Sequence, residues 1–155
     1  MSALLDVRGL KTQFATKRGV VHAVDDVSLS VEEGEVLGLV GESGSGKSVT
    51  GYSILGLIDA PGRVTAGSIK FSGRELVGLA ERDWRAIRGR EIAMIFQDPM
   101  LTLNPVLRID TQIIEAIHAH ADVSASRARA WAAEALAGVG IPSPEARLTA
   151  YPHQF

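Results

Sequence analysis

The alternation of apolar and polar positions divides the chain into a strand-rich first part and a helical last part. A strand pattern covers residues 3–14, with a break at Gly9 and an end at Phe14. Residues 27–31 alternate valine or leucine with serine, which is the period-two pattern of a strand with one wet face. Residues 67–73, with a glycine at each end, predict a third short strand.

Two short runs are apolar without alternation. They are Val-Leu-Gly-Leu-Val at residues 36–40 and Glu-Ile-Ala-Met-Ile-Phe at residues 91–96. Runs of this length are typical of parallel strands that are buried on both faces. We therefore predict that both are core strands of an α/β sheet.

Helical periodicity appears after the first of these runs and dominates the last third of the chain. Apolar residues recur at helical spacing from Val49 to Ile58, and residues 80–88 carry a charged helix pattern. Isoleucines then recur every four residues over 109–117, and a further apolar stripe follows Ser124, which is a favourable N-cap residue.

Composition narrows the possible classes of protein. The 155 residues are 46% hydrophobic and 22% charged, as in an ordinary globular domain. A formal net charge of −2 gives no basic excess that would indicate nucleic acid as a partner. The absence of cysteine excludes disulfides, zinc-thiolate sites and a thiol nucleophile. No export signal and no apolar run of about 20 residues is visible, so we expect a cytoplasmic chain without direct membrane insertion.

The octapeptide Gly-Glu-Ser-Gly-Ser-Gly-Lys-Ser at residues 41–48 matches the phosphate-binding pattern G-x-x-x-x-G-K-[ST], also called Walker A. Its glycines let backbone N–H groups turn inward as an anion nest, and the following helix N-terminus attracts anions as well. Lys47 can reach the β- and γ-phosphates, and the Ser48 hydroxyl can ligate Mg²⁺. An ordinary glycine-rich turn would not require lysine followed by serine. We expect these residues to contact a nucleoside triphosphate: Gly41, Glu42, Ser43, Gly44, Ser45, Gly46, Lys47, Ser48 and Val49.

Gln97 follows the second predicted core strand. A polar amide at the carboxyl end of a strand beside the P-loop strand lies where α/β folds bind ligands. Its carbonyl could ligate Mg²⁺ and its amide could orient an attacking water, although a capping or loop glutamine is the alternative. Asp98 could instead be the Mg²⁺-organising acid that follows a Walker B strand, but Gln97 intervenes.

Six segments together carry a family resemblance: 23–28 (Ala-Val-Asp-Asp-Val-Ser), 33–35 (Glu-Gly-Glu), 41–48, 95–100 (Ile-Phe-Gln-Asp-Pro-Met), 103–105 (Leu-Asn-Pro) and 151–154 (Tyr-Pro-His-Gln). With them the chain resembles the ATP-binding subunits of ABC transporters, and most closely the dipeptide/oligopeptide importer branch. The resemblance implies an α/β P-loop NTPase fold of the ABC type, here incomplete. About residues 1–104 would form an antiparallel β subdomain, the P-loop core and the Q-loop. About residues 105–155 would start a helical subdomain.

The resemblance also implies roles for individual residues. Phe14 stands where the family places the A-loop aromatic that stacks on adenine, and the alternative is an aromatic packed at the end of a strand. Gln97 becomes the Q-loop glutamine that senses Mg²⁺ and the γ-phosphate, so Lys47 and Gln97 are the expected catalytic residues. The surface from Gln97 to Pro105 would receive a membrane permease. Two subunits would bind ATP and Mg²⁺ in a head-to-tail dimer, peripheral on the inner face of the membrane.

The chain departs from the family after Tyr-Pro-His-Gln, which in relatives leads into the Leu-Ser-Gly-Gly signature. This sequence stops at Phe155 and contains no Walker B aspartate or catalytic glutamate, so we expect it to be the N-terminal portion of a longer subunit. A non-catalytic ATP-binding module is the alternative. A P-loop GTPase is less favoured, because Asn104, the only asparagine, precedes proline instead of the lysine used in guanine recognition. A small-molecule kinase would not account for Phe-Gln-Asp-Pro at residues 96–99.

Overall fold

The computed structural model describes residues 3–97 and 102–155. They fall into two compact units, Met1–Arg88 and Gly89–Phe155. Each unit has buried apolar residues of its own.

The first unit is built on a four-stranded antiparallel sheet with the order β2-β1-β3-β4. The strands are β1 (Leu5–Thr16), β2 (Gly19–Val31), β3 (Gly62–Phe71) and β4 (Arg74–Glu75). The first three confirm the strands predicted from alternation, and each extends beyond its predicted range in at least one direction. Because β1 pairs with β2 on one side and with β3 on the other, it is a central strand, and its buried side chains belong to the core of this unit.

A β-bulge interrupts the pairing of β1 with β2. Thr12 lies opposite Val24 and the next residue, Gln13, lies opposite His22, so Ala23 is left between two paired positions. A bulged residue turns its backbone away from the regular ladder, and bulges often occur beside binding sites. This bulge places the Ala23 carbonyl against the predicted phosphate-binding segment.

Two helices complete the first unit, α1 (Lys47–Ile54) and α2 (Glu81–Ile87). Alternate apolar side chains of the strands are buried, and Trp84 and Ile87 of α2 are buried as well. The buried apolar residues of this unit are Val7, Leu10, Val24, Leu55, Ile69, Leu76, Trp84 and Ile87.

Helix α1 ends in a Schellman motif. The Gly56 N–H donates to the Ser53 carbonyl at 3.1 Å, and the Leu57 N–H donates to the Tyr52 carbonyl at 2.8 Å. Gly56 has φ = +61°, the left-handed conformation that this motif requires. The helical spacing that continues to Ile58 predicted a longer helix, and this is wrong because the motif turns the chain first.

Arg88 holds the C-terminal end of α1. Its Nε donates to the Leu55 carbonyl at 2.8 Å and a terminal nitrogen donates to the Gly56 carbonyl at 2.6 Å. Its guanidinium lies 4.8 Å from the Trp84 ring centroid and pairs with Glu81 at 2.9 Å. A cation at the C-terminus of a helix is attracted by the partial negative charge that the helix dipole places there.

The two predicted core strands are not strands in the described residues. Val36 and Val40 are 95% and 91% exposed, and Ile95 is 94% exposed. A parallel strand is stable only when neighbouring strands take up its backbone hydrogen bonds. Within residues 3–97 and 102–155 no strand pairs with either segment, so the prediction of burial at 36–40 and 91–96 is wrong.

The described residues of the second unit form α3 (Ile109–His118), α4 (Ala125–Gly138) and α5 (Pro144–Leu148), followed by a 3₁₀ turn at Pro152–Gln154. They confirm the helical pattern of the last third. Ser124 caps α4 as predicted, because its Oγ accepts from the Arg127 N–H at 3.3 Å. The buried apolar cluster comprises Ile109, Ala132, Leu136 and Leu148. None of the helices formed by the described residues has the length and apolarity needed to cross a membrane.

A buried carboxylate joins α3 to α4. Asp110 lies in the first turn of α3, and its side chain is 4% exposed. Arg108 donates to it from Nε at 3.1 Å and from a second nitrogen, and Arg129 of α4 donates to it at 2.7 Å. The hydrogen bonds from Arg108, together with those from Arg129, lower the pKa of Asp110 to about 2.

We expect Asp110→Asn to destabilise the second unit and remove part of its acid sensitivity. The pKa of Asp110 is lowered on folding, so the carboxylate stabilises the fold above its ordinary pKa of 3.8 and loses this effect as pH falls through about 2. At pH 7 the variant should lose about 1–3 kcal/mol, the typical cost of removing hydrogen bonds to a charged group.

Amide hydrogen exchange of α3 and α4 from pH 7 to pH 2 measures both effects. The matched control is Asp122→Asn, which changes an exposed carboxylate of the same unit. The role assigned to Asp110 is contradicted if its asparagine variant keeps the wild-type decline in protection between pH 4 and pH 2.

Candidate nucleotide-binding site

The segment 41–46 forms a loop that leads directly into α1. Gly44 and Gly46 have φ = +81° and +91°, left-handed conformations that residues with a Cβ rarely adopt. The loop residues 41–45 are exposed, whereas Gly46 and Lys47 are partly buried. The glycines therefore shape the backbone here as the motif predicts.

Lys47 closes the loop on itself. Its Nζ donates to the carbonyls of Gly41 and Glu42, both at 2.7 Å, and lies 3.4 Å from the Ser45 Oγ. A Cβ at Gly41 would lie 2.7 Å from the Ser45 Oγ, so a larger residue there would require the Ser45 side chain to shift. The ammonium group is thus held among the atoms of the loop, within the segment predicted to surround phosphates.

The N-terminus of α1 is favourable for an anion. Gly46 is the N-cap residue, no side chain caps this end of α1, and its first turn contains no acidic residue. The first backbone N–H groups of a helix lack partners within the helix, and the dipole adds a partial positive charge. Ser48, a predicted Mg²⁺ ligand, lies exposed in this turn, and Val49 follows it partly buried.

The junction of loop and helix packs against the β2 backbone. A Cβ built on Gly46 would lie 2.3 Å from the carbonyl oxygen of Ala23, the bulged residue, and 3.8 Å from a methyl of Val24. Glycine is therefore required at position 46 by close approach as well as by its φ angle. The bulge and this glycine together set the distance between the loop and the sheet.

A buried hydrogen bond fixes the last turn of α1 to β1. The hydroxyl oxygens of Thr12 and Ser53 are 2.7 Å apart, and both residues are buried. Ser53 donates its proton to the Val49 carbonyl at 2.7 Å, so Thr12 is the donor to Ser53. Because each buried hydroxyl has a partner, the contact orients α1 on β1 without an unpaired polar group. Neither residue was predicted, since one hydroxyl in each of two distant elements leaves no pattern along the chain.

Phe14 lies near the end of β1, opposite Gly62 of β3, and is partly exposed. Its ring rests on the Gly62 backbone. This position is compatible with both sequence interpretations, an aromatic that stacks on a base and an aromatic packed at the end of a strand, so its role stays a prediction.

The remaining predicted site residues belong to the second unit. Gln97 is exposed, and its roles in catalysis and in Mg²⁺ binding stay predictions. Of the predicted permease surface, residues 98–101 lie outside the described residues, and with them Asp98.

Asn104 shapes the turn before α3. Its backbone N–H donates to Gln112 at 2.8 Å, and its side-chain oxygen accepts from the Val106 N–H at 3.1 Å. The only asparagine of the sequence thus has a local structural role.

Within residues 3–97 and 102–155, no cluster of three or more histidine, aspartate or glutamate side chains could hold a metal by itself. Mg²⁺ in nucleotide sites takes one or two protein ligands together with phosphate oxygens and water. The exposed Ser48 hydroxyl beside Lys47 therefore fits as one protein ligand of such an ion.

Comparisons of sequence relate this chain to a known family. The profile of the ABC transporter family matches residues 24–155. The dipeptide transport ATP-binding protein DppD of Escherichia coli is 49% identical over 153 residues, which are 99% of this chain and 47% of that protein. The oligopeptide transport ATP-binding protein OppD of Bacillus subtilis is 45% identical over an alignment of 156 positions, which covers 100% of this chain and 44% of that protein. The chain thus spans about half the length of these relatives.

The fold is similar to that of a solved structure described as a dimeric form of MJ0796, a bacterial ABC transporter cassette. The TM-score is 0.81 at 22% identity, and the match covers 97% of this chain and 62% of that one. A second structure of MJ0796, described as a post-hydrolysis state bound to ADP and Pi, matches with a TM-score of 0.74 and 21% identity. The predicted fold class, an incomplete ABC-type P-loop fold, is confirmed. With a glycine loop closed by Lys47 and a family profile that matches most of its length, this chain belongs to the ABC transporter family.

Proposed function

We propose that this chain binds ATP with Mg²⁺ at the Gly41–Ser48 loop and acts as the ATP-binding, energy-coupling subunit of an importer for di- or oligopeptides. The observation that carries the proposal is the ammonium of Lys47, held 2.7 Å from two loop carbonyls beside a helix N-terminus that has no side-chain cap. Positive charge and backbone N–H groups converge there, which is what a polyphosphate requires.

Three polar residues have separate tasks in this proposal. Lys47 exchanges its contacts with the loop carbonyls for β- and γ-phosphate oxygens and neutralises their charge as the γ-phosphoryl group is transferred to water. The Ser48 hydroxyl holds Mg²⁺, which supplies further charge neutralisation when it is bound. Gln97 serves as the Q-loop residue that senses the metal and the γ-phosphate.

The partners proposed are a second ATP-binding subunit and a membrane permease. The fold neighbour MJ0796 is described as dimeric, and the relatives are named as transport ATP-binding proteins for dipeptides and oligopeptides. A head-to-tail dimer would place the loop of one subunit against the other. The region Gln97–Pro105 would contact the permease at the inner face of the membrane.

Two measurements separate this function from its alternatives. A phosphate-release assay beside ATP binding distinguishes an ATPase from a non-catalytic module, since a module binds ATP without turnover. Competition of GTP against ATP tests the GTPase alternative, which Asn104 does not favour because its side chain is used in a local turn. Equal affinity for GTP and ATP would contradict the proposal that the site selects ATP.

Lys47→Ala should weaken the binding of Mg·ATP at least tenfold, because a hydrogen bond to a charged group contributes about 1.5–3 kcal/mol. Isothermal titration calorimetry of the chain measures this directly. The control is Lys70→Ala, which removes the same charge from an exposed position on β3. If both variants bind Mg·ATP as the unmodified chain does, Lys47 is not a phosphate ligand and the proposal fails.

Gly46→Ala should both destabilise the first unit and weaken Mg·ATP binding, because the added methyl meets the Ala23 carbonyl and φ is +91°. Left-handed backbone alone costs a residue with a Cβ about 1–2 kcal/mol. The matched control is Gly73→Ala, with φ = +79° and nothing within 4 Å of the added Cβ, which shares the backbone cost without the clash.

Thermal unfolding and calorimetry are compared for the two variants. Gly46→Ala should unfold at the lower temperature, and only Gly46→Ala should weaken binding. Equal behaviour of the two variants would show that contact with β2 does not position the loop.

A further inference from the structure

The ring of Phe14 contacts the backbone of Gly62, its partner across the β1–β3 ladder. A Cβ built on Gly62 would lie 2.4 Å from Cε1 and 2.8 Å from Cδ1 of that ring. The same Cβ would lie 2.8 Å from Cγ2 of Ile58. Phe14 and Ile58 thus both border the space beside Gly62, and we call Gly62 and Ile58 the ring support.

Backbone conformation does not explain glycine at position 62. Gly62 is not among the glycines with positive φ, so a residue with a Cβ could adopt its backbone angles. What excludes a side chain is the ring of Phe14, together with Ile58. Glycine inside a strand often marks such a close approach.

The support is fixed to the sheet beside Phe14. The Gly62 N–H donates to the Asp59 carbonyl at 2.8 Å, and the N–H of Ala15, the neighbour of Phe14, donates to the Pro61 carbonyl at 3.3 Å. The turn that carries the support is therefore bonded to the same strand that carries the ring.

The ring also lies on the face of the sheet that carries the phosphate-binding helix. Side chains two apart on a strand point to the same face, and Thr12, two residues before Phe14, bonds to Ser53 of α1. Phe14 is only partly covered. The partly covered ring therefore lies on the same face of the sheet as α1, the helix that follows the Gly41–Ser48 loop.

We propose that Gly62 and Ile58 are positioning residues that hold the Phe14 ring for stacking against the nucleobase of bound ATP. This inference rests on the proposed ATP binding and deepens it. A ring that is already immobilised loses little freedom when a base stacks on it, so more of the stacking energy appears as affinity. A methyl at position 62 would displace the ring from this position.

The test compares Mg·ATP with Mg·tripolyphosphate, which carries the phosphates without the base, by calorimetry on the full chain. Gly62→Ala should weaken ATP binding about fivefold or more and leave tripolyphosphate binding unchanged, the loss expected when one base stack is removed. Phe14→Leu should cause the same loss, and the double variant should lose no more than either single one. Gly38→Ala is the control, with ordinary φ and nothing within 4 Å.

Ile58→Ala keeps the inference testable if Gly62→Ala does not fold, because it removes one side of the support without a clash. It should cause a smaller loss that is again confined to ATP. Equal losses for ATP and tripolyphosphate, or no loss for either support variant, would overturn the inference. If Phe14→Leu retains full ATP affinity, the hypothesis that Phe14 stacks on the base is refuted as well. If the unmodified chain binds neither ATP nor tripolyphosphate, the proposed function itself is refuted.

Discussion

The attachment of α1 to the antiparallel sheet and to Arg88, which follows α2, is the constraint on which the phosphate-binding site depends. It has three parts along the helix: Gly46 meets the Ala23 carbonyl, Ser53 accepts a buried hydrogen bond from Thr12, and Arg88 bonds to the C-terminal carbonyls. Removing any one part would leave the helix free to tilt about the others. Because electrostatic binding of phosphates depends on donors that are already in place, this attachment links the packing of the first unit to the affinity of its loop.

The loop and the sheet use glycine for different physical reasons. At Gly44 the backbone is left-handed with open space around it, whereas Gly62 has ordinary backbone angles under an aromatic ring. Gly46 combines both requirements. An alanine at each position would therefore fail in a different way, through backbone strain, through displacement of a neighbour, or through both. Glycines with left-handed backbone thus shape the phosphate-binding loop, whereas a glycine under an aromatic ring leaves room for that side chain.

The two apolar segments that remain exposed show how strand formation depends on partners. The first three strands of the sheet each pair with a neighbouring strand along most of their length within the first unit. Residues 36–40 and 91–96 are as apolar as any core strand, yet the described residues offer them no neighbouring strand. Hydrophobicity alone therefore does not make a strand, since each buried backbone group also needs a hydrogen-bond partner.

The sequence by itself determined the phosphate-binding loop, the antiparallel strands, the helical last third and the Ser124 cap, because each depends on residues that are close along the chain. Tertiary structure alone decided how Thr12 meets Ser53 and why residue 62 is glycine. These contacts join segments tens of residues apart, and neither partner carries a periodic or local pattern. The spacing of residues along the chain can specify a helix, a strand or a loop and the charge that it carries. The distance between two such elements is fixed only when their side chains pack against each other.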